Sequence, residues 1–266
     1  MSGLKFRRVW GILLRHLYLL KHSFSRWLDL LYWPTVDLLL WGFITLYLQR
    51  ESQTGISLAS LFLGALIFWN ILIRAQQGLA VGFLEDIWAR NLLHLFVSPL
   101  KVSEYILGLF LYSLFKAVLA SGVMSLLSIF LFHFNFFSQG LYVFYLTFGL
   151  ILFAWAIGLL TIAFILYFGQ EAEILAWALA LFFLPFSAVF YPVSALPPFF
   201  QKIASFVPAS YFFESFRFLM LKAQTSFSML IKGYLLTIIY LLLSSFVFIL
   251  SFKKAQSQGK LIKIGE

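Results

Sequence analysis

The 28 residues of Leu141–Phe168 carry no charged side chain, and that run decides the solvent in which the chain folds. As a helix rising 1.5 Å per residue it is about 42 Å long, more than the roughly 30 Å hydrocarbon core of a bilayer. Further apolar runs occupy residues 30–48, 56–73, 105–132, 174–191 and 233–252. The expected fold is therefore an all-α membrane protein, one domain over residues 1–266 with six transmembrane helices. Composition excludes an aqueous fold, since 62% of residues are hydrophobic and 11% charged, against about 25% charged in soluble domains. With no cysteine in the chain, disulfides and thiolate metal sites are excluded as well.

The polar residues are concentrated in a few places. Within residues 1–28, Arg8, Arg15 and His22 recur every seven positions, while Val9, Ile12, Leu13, Leu17, Leu20 and Phe24 cover the rest of the surface. That pattern is a basic amphipathic helix lying along the membrane face. A second polar stretch, residues 74–104, holds Glu85, Asp86, Arg90, His94, Lys101 and Glu104. It is too polar to span, and reads as a helix leaving the membrane, a short helix over residues 85–96, and re-entry after Pro99. Of the 19 lysines and arginines, 13 fall in these two stretches and the C-terminal tail. Basic residues favour the cytoplasm, so both termini and the middle loop are expected there. The net charge of +9 reads as this bias and not as a nucleic-acid surface.

Residues 185–217 are apolar but cannot form one helix. Pro185, Pro192, Pro197, Pro198 and Pro208 follow in quick succession, each lacking a backbone donor and restricting the residue before it. Broken backbone at membrane depth survives only where protein or a wet cavity satisfies its amides. The expectation is a set of re-entrant helices over residues 192–222, after the fifth span and at the outer face. Glu214 and Arg217, three apart, lie on one face of such a helix. Nearby aromatics such as Tyr191, Phe199, Phe200, Phe206, Tyr211 and Phe212 read as packing and interfacial anchors before they read as a stacking surface for substrate.

Catalytic constellations are missing. The chain has no GxxxxGK[ST], HExxH or GxSxG, so no catalytic residue and no metal site is assigned. His16, His22, His94 and His133 are scattered over different segments. Inside the expected spans the ionised groups are Asp37 and Lys116, each roughly 14 to 16 Å deep at 1.5 Å per residue. Charges at that depth need partners, and matched depth with opposite sign points to a pair, within one subunit or across a dimer, or to two groups that jointly line a wet pathway. An ion-coupled secondary transporter using Asp37 and Lys116 is the alternative function, although no internal repeat supports it. A membrane-bound transferase lacks the acidic or histidine cluster it requires.

Two stretches carry a family resemblance. EDIWARNLLHLFVSPLKVSEYILG, residues 85–108, has an acidic start, a short helix and Ser-Pro leading into a span. Residues 185–217 run from an apolar helix through Phe-Tyr-Pro, Leu-Pro and Val-Pro-Ala to a tyrosine with Glu214 and Arg217. Together, with the basic amphipathic N-terminus, they resemble the permease subunits of type-2 ABC exporters. The resemblance implies that residues 74–104 form a cytoplasmic coupling loop, and that Glu85, Asp86, Trp88, Arg90 and Asn91 touch a separate cytoplasmic ABC ATPase. Tyr191, Pro192, Pro197, Pro198, Glu214 and Arg217 then belong to an outer gate. It implies no cofactor in this chain, since ATP and Mg are held by the ATPase, and a second copy of the permease as a homodimeric partner. Such a pair moves an amphipathic or lipid-linked glycan, lipid or drug outward across a bacterial inner membrane by alternating access.

Overall fold

The computed structural model describes residues 5–52 and 58–259. No strand occurs among them. Helix α1 (Phe6–Lys21) is followed by α2 (Phe24–Trp27), a π-helical turn Leu28–Tyr32, and α3 (Trp33–Ser52). Then come α4 (Leu58–Trp88), α5 (Leu92–Val97), α6 (Val102–Phe132), α7 (Leu141–Phe168) and α8 (Leu175–Phe183). Helices α9 (Pro198–Ala204), α10 (Pro208–Lys222) and α11 (Phe227–Ser257) complete the chain.

Five stretches are long and apolar enough to cross a membrane: Phe24–Leu48, Ser60–Trp88, Val102–Phe132, Leu141–Phe168 and Phe227–Ser257. The expected fifth span, residues 174–191, differs. Its apolar helix covers only Leu175–Phe186, about 18 Å at 1.5 Å per residue, which falls short of the roughly 30 Å core. Pro185 lies in its closing 3-10 turn, and Ala188 then takes a left-handed φ of 57°, so the chain turns away before the span is complete.

The second span continues as a helix beyond residue 73, as expected, but farther than its sequence reading placed it: α4 is unbroken through Arg74, Gln76, Glu85 and Asp86 to Trp88. No proline falls between Pro34 and Pro99, and the polar side chains of α4 find partners inside the bundle. Gln76 Nε2 donates to Thr161 Oγ1 of α7 at 3.3 Å in the buried interior. The short helix of the loop accordingly begins at Leu92, seven residues later than the motif indicated.

Helices α4 and α7 are the most enclosed of the five, and two apolar cores are stacked along them. One gathers Phe68, Phe153, Phe212, Phe213 and Phe216, with α10 packed in. The other joins Leu79, Phe83, Tyr105, Ile162 and Phe252, with Ile12 of α1 laid against it. Two glycines set the close approaches. A Cβ on Gly78 would fall 2.5 Å from Ser113 Cα of α6, and one on Gly108 would fall 2.6 Å from Ile12 Cβ of α1. Exposed apolar side chains such as Phe43, Phe130, Leu242 and Phe246 cover the outer faces of α3, α6 and α11, as a chain surrounded by lipid requires.

Candidate functional site

At the end of the bundle that carries α1 and α5, the last turn of α4 presents two neighbouring acids. Arg26 Nε donates to Glu85 Oε1 at 2.8 Å, and Arg15 forms an ion pair with Asp86. His16 stands between the two acids, Nδ1 at 3.7 Å from Glu85 Oε2 and Nε2 at 3.5 Å from Asp86 Oδ2. The Tyr105 hydroxyl donates to Asp86 Oδ2 at 2.6 Å, and the His16 ring stacks on Tyr112 at 5.0 Å. Burial alone pushes the His16 pKa down, but the bonds and charges of Asp86 and Glu85 outweigh it, and the net shift is upward.

A second attachment holds the start of α1. Glu104 accepts from the backbone N–H of Lys5 at 2.9 Å and from that of Lys101 at 3.0 Å, and Arg8 Nη1 reaches it at 3.3 Å. The amphipathic helix is thus tied to α4 and α6 through three carboxylates, Glu85, Asp86 and Glu104. Glu85 and Asp86 are turned inward, their side chains 9% and 0% exposed, so their charge faces α1.

The neighbouring residues face outward. Trp88 is 50% exposed, and its indole N–H donates to Glu173 at 3.0 and 3.1 Å. Arg90 adopts a left-handed φ of 52° and closes α4, with Asn91 N–H reaching back to the Asp86 carbonyl at 2.9 Å. Trp88, Ala89, Arg90, His94, Val97, Ser98 and Pro99 are exposed, Asn91 is half-buried, and Leu92 anchors the loop in the core.

The intramembrane charges are not paired as their depths indicated. Lys116 Nζ lies 4.0 Å from Asp29 Oδ2, and Arg74 Nη1 lies 3.2 Å from the same oxygen. No ion pair joins Asp37 to Lys116 within the chain, and Asp37 is half-buried on α3. The π-helical turn Leu28–Tyr32 carries Asp29, its side chain half-exposed, and the uninterrupted α4 brings Arg74 to it. Within one chain, therefore, Asp37 and Lys116 do not form the pair that the ion-coupled alternative invoked.

At the opposite end, the broken segment is stitched together by α10. Arg217 Nη2 donates to the carbonyls of Ala188 at 3.0 Å and Val189 at 3.4 Å, where the helix break leaves them without partners. Glu214 Oε1 accepts the Val193 N–H at 2.6 Å and lies 3.4 Å from Arg217 Nη1. Tyr191 donates to the Pro185 carbonyl at 2.8 Å. Pro192 precedes a 3-10 turn, Pro197 caps α9, and Pro198 and Pro208 open α9 and α10, positions where a missing N–H costs nothing.

Sequence reasoning missed His16, Asp29, Arg74 and Glu104 as members of these clusters. His16 was legible in part, one position off the seven-residue basic stripe and on the face that carries Ile12, Leu13 and Leu20.

Long apolar helices, charged side chains paired inside the bundle and an apolar exterior define a multi-pass integral membrane protein. Residues 17–221 match the model of the ABC-2 type transporter family, and the chain belongs to that family as a transmembrane permease component, which lacks the ATPase site. No curated protein matches the chain.

Proposed function

We propose that this permease serves an ATP-driven exporter whose ATPase is a separate cytoplasmic subunit. The observation that carries the reading is the construction of the α4–α5 corner: an exposed surface of Trp88, Arg90 and α5 on the same helix end whose acids grip α1. Force applied to the loop acts on α4 as a rigid rod and on α1 through Glu85 and Asp86, which fits rigid-body coupling. In this reading Trp88, Arg90 and Asn91 meet the ATPase, while Glu85 and Asp86 act behind that surface, passing its motion to the amphipathic helix.

The corner then faces the cytoplasm together with both termini, and the Arg217 segment lies at the outer face of the bacterial inner membrane as its gate. Two copies related by a two-fold axis enclose the pathway, and an amphipathic glycan, lipid or drug moves outward by alternating access. Co-expression with a P-loop ATPase tests the reading. A stable complex whose ATP hydrolysis drives transport is expected; transport by a proton gradient alone, with no ATPase bound, overturns it.

A further inference from the structure

A cleft of about 570 Å³ opens where α2, α4, α6 and α8 converge, lined by Arg26, Asp29, Glu85, Trp88, Lys116 and Trp177. Its charges do not balance in pairs. Glu85 is matched by Arg26 at 2.8 Å and Asp29 by Arg74 at 3.2 Å. Lys116 has no carboxylate of its own. Its ammonium stands 4.0 Å from the oxygen Asp29 already shares with Arg74, beyond hydrogen-bond length, and it lies over the Tyr112 ring at 5.8 Å, within electrostatic reach of Glu85. An ammonium has three donors to place, yet this one forms no hydrogen bond to any described residue and is only 5% exposed. A lysine reaching out to water keeps its head exposed. This one brings a positive charge without a hydrogen bond to the wall of a space large enough for a ligand group.

The walls specify more than charge. Trp88 and Trp177 line other parts of the same cleft and are half-exposed, and indole rings favour the boundary between polar head groups and apolar chains.

We propose that the cleft binds the phosphate-type head group of an anionic amphipathic molecule, with Lys116 as its direct cationic contact. Arg74 and Arg26 hold the two carboxylates, so that neither repels the incoming anion at full strength. The proposal rests on the permease reading only where it names the bound molecule as cargo; binding itself needs no ATPase.

The test uses the purified full chain in a non-ionic maltoside. Equilibrium binding of radiolabelled dioctanoyl phosphatidic acid is compared with that of dioctanoylglycerol, which has the same tails and no phosphate. We expect at least a tenfold preference for phosphatidic acid, lost in Lys116→Met and kept in Lys116→Arg. Two further variants act with opposite sign and without removing Lys116. Asp29→Asn, which frees the shared carboxylate's partners, should tighten phosphatidic acid binding several-fold, and Ser25→Glu at the exposed lining should weaken it several-fold. Inorganic pyrophosphate competing as well as the lipid assigns the same Lys116 chemistry to a soluble anion; failure to compete assigns it to a lipid head group. Equal binding of the two dioctanoyl probes overturns the proposal. So does a preference unchanged in Lys116→Met or, should that variant not fold, in both Ser25→Glu and Asp29→Asn. Either result leaves ATPase association, measured separately, to decide the permease reading.

Discussion

Arg26 and Glu85, 59 residues apart in sequence, meet through an Nε–H to Oε1 hydrogen bond of 2.8 Å. The contact joins the amphipathic N-terminus to the last turn of α4, and it is directional. Arg26 also donates from Nη1 to the Leu19 carbonyl at 2.8 Å, which fixes the guanidinium plane. Replacing Glu85 by glutamine is expected to cost about 2 kcal/mol, the usual scale for a hydrogen bond to a charged group, read as a lowered unfolding midpoint in detergent. Exchanging the charges, Arg26→Glu with Glu85→Arg, should recover part of that loss. A Glu85→Gln protein as stable as the parent would show that the pair does not hold α1.

His16 gives the same attachment a pH dependence. Its pKa is raised above the ordinary 6.5 by Asp86 and Glu85 in spite of burial. A raised folded-state value means that the histidine's contribution is complete below the unfolded value and is lost as pH rises through the folded one. Hydrogen exchange of the α1 amides, corrected for intrinsic rates, should therefore show weaker protection at pH 8.5 than at pH 6. Substitution of His16 by glutamine should flatten that profile. Protection that does not vary with pH in the parent protein contradicts the assignment.

Arg217 should be hard to replace even by lysine. Its fork reaches two carbonyls and Glu214 at once, whereas an ammonium is a compact point charge on a flexible stem. Arg217→Ala is expected to destabilise by about 2 to 3 kcal/mol because it leaves buried acceptors unpaired, and Arg217→Lys to restore little of it. In the parent protein, cysteines at Gln201 or Lys202 should react with a membrane-impermeant thiol reagent from outside intact cells. Labelling only after the opposite face is opened would invert the proposed orientation.

Gly78 marks a close approach of α4 and α6, where a Cβ would sit 2.5 Å from the Ser113 Cα. The obstacle is backbone and cannot rotate away. Gly78→Ala should cost about 1 to 3 kcal/mol as overpacking, measured as a lowered unfolding midpoint. Gly122→Ala in α6, where nothing lies within 4 Å, serves as the control and should be neutral or slightly stabilising.

What the sequence made legible was local. The seven-residue basic stripe marked α1, the prolines marked where the Arg217 segment breaks, and the three-residue spacing of Glu214 and Arg217 matches their 3.4 Å contact. Pairings between distant elements were not legible. Asp37 and Lys116 share a depth, but depth is one coordinate, and rotation about the helix axes decides which side chains meet. Asp29 reached Lys116 because of a π-helical turn that apolar periodicity does not reveal. Arg74 looked like the start of a loop because polar residues on a helix enclosed by other helices have the same composition as polar residues in water. Glu85 and Asp86 looked like partner-facing acids for the same reason, since their cations lie some sixty to seventy residues earlier in the chain.

The central claim is that the Trp88–Arg90 corner receives the force of a separate ATPase. Its most direct measurement is ATP hydrolysis by the reconstituted complex in proteoliposomes, comparing the parent permease with Trp88→Ala combined with Arg90→Glu, a variant confined to exposed residues at the end of α4. The account predicts that the double variant keeps the parent's unfolding midpoint to within a few degrees while losing at least tenfold of permease-dependent hydrolysis and binding the ATPase more weakly. Full hydrolysis and unchanged complex formation in the double variant would contradict it.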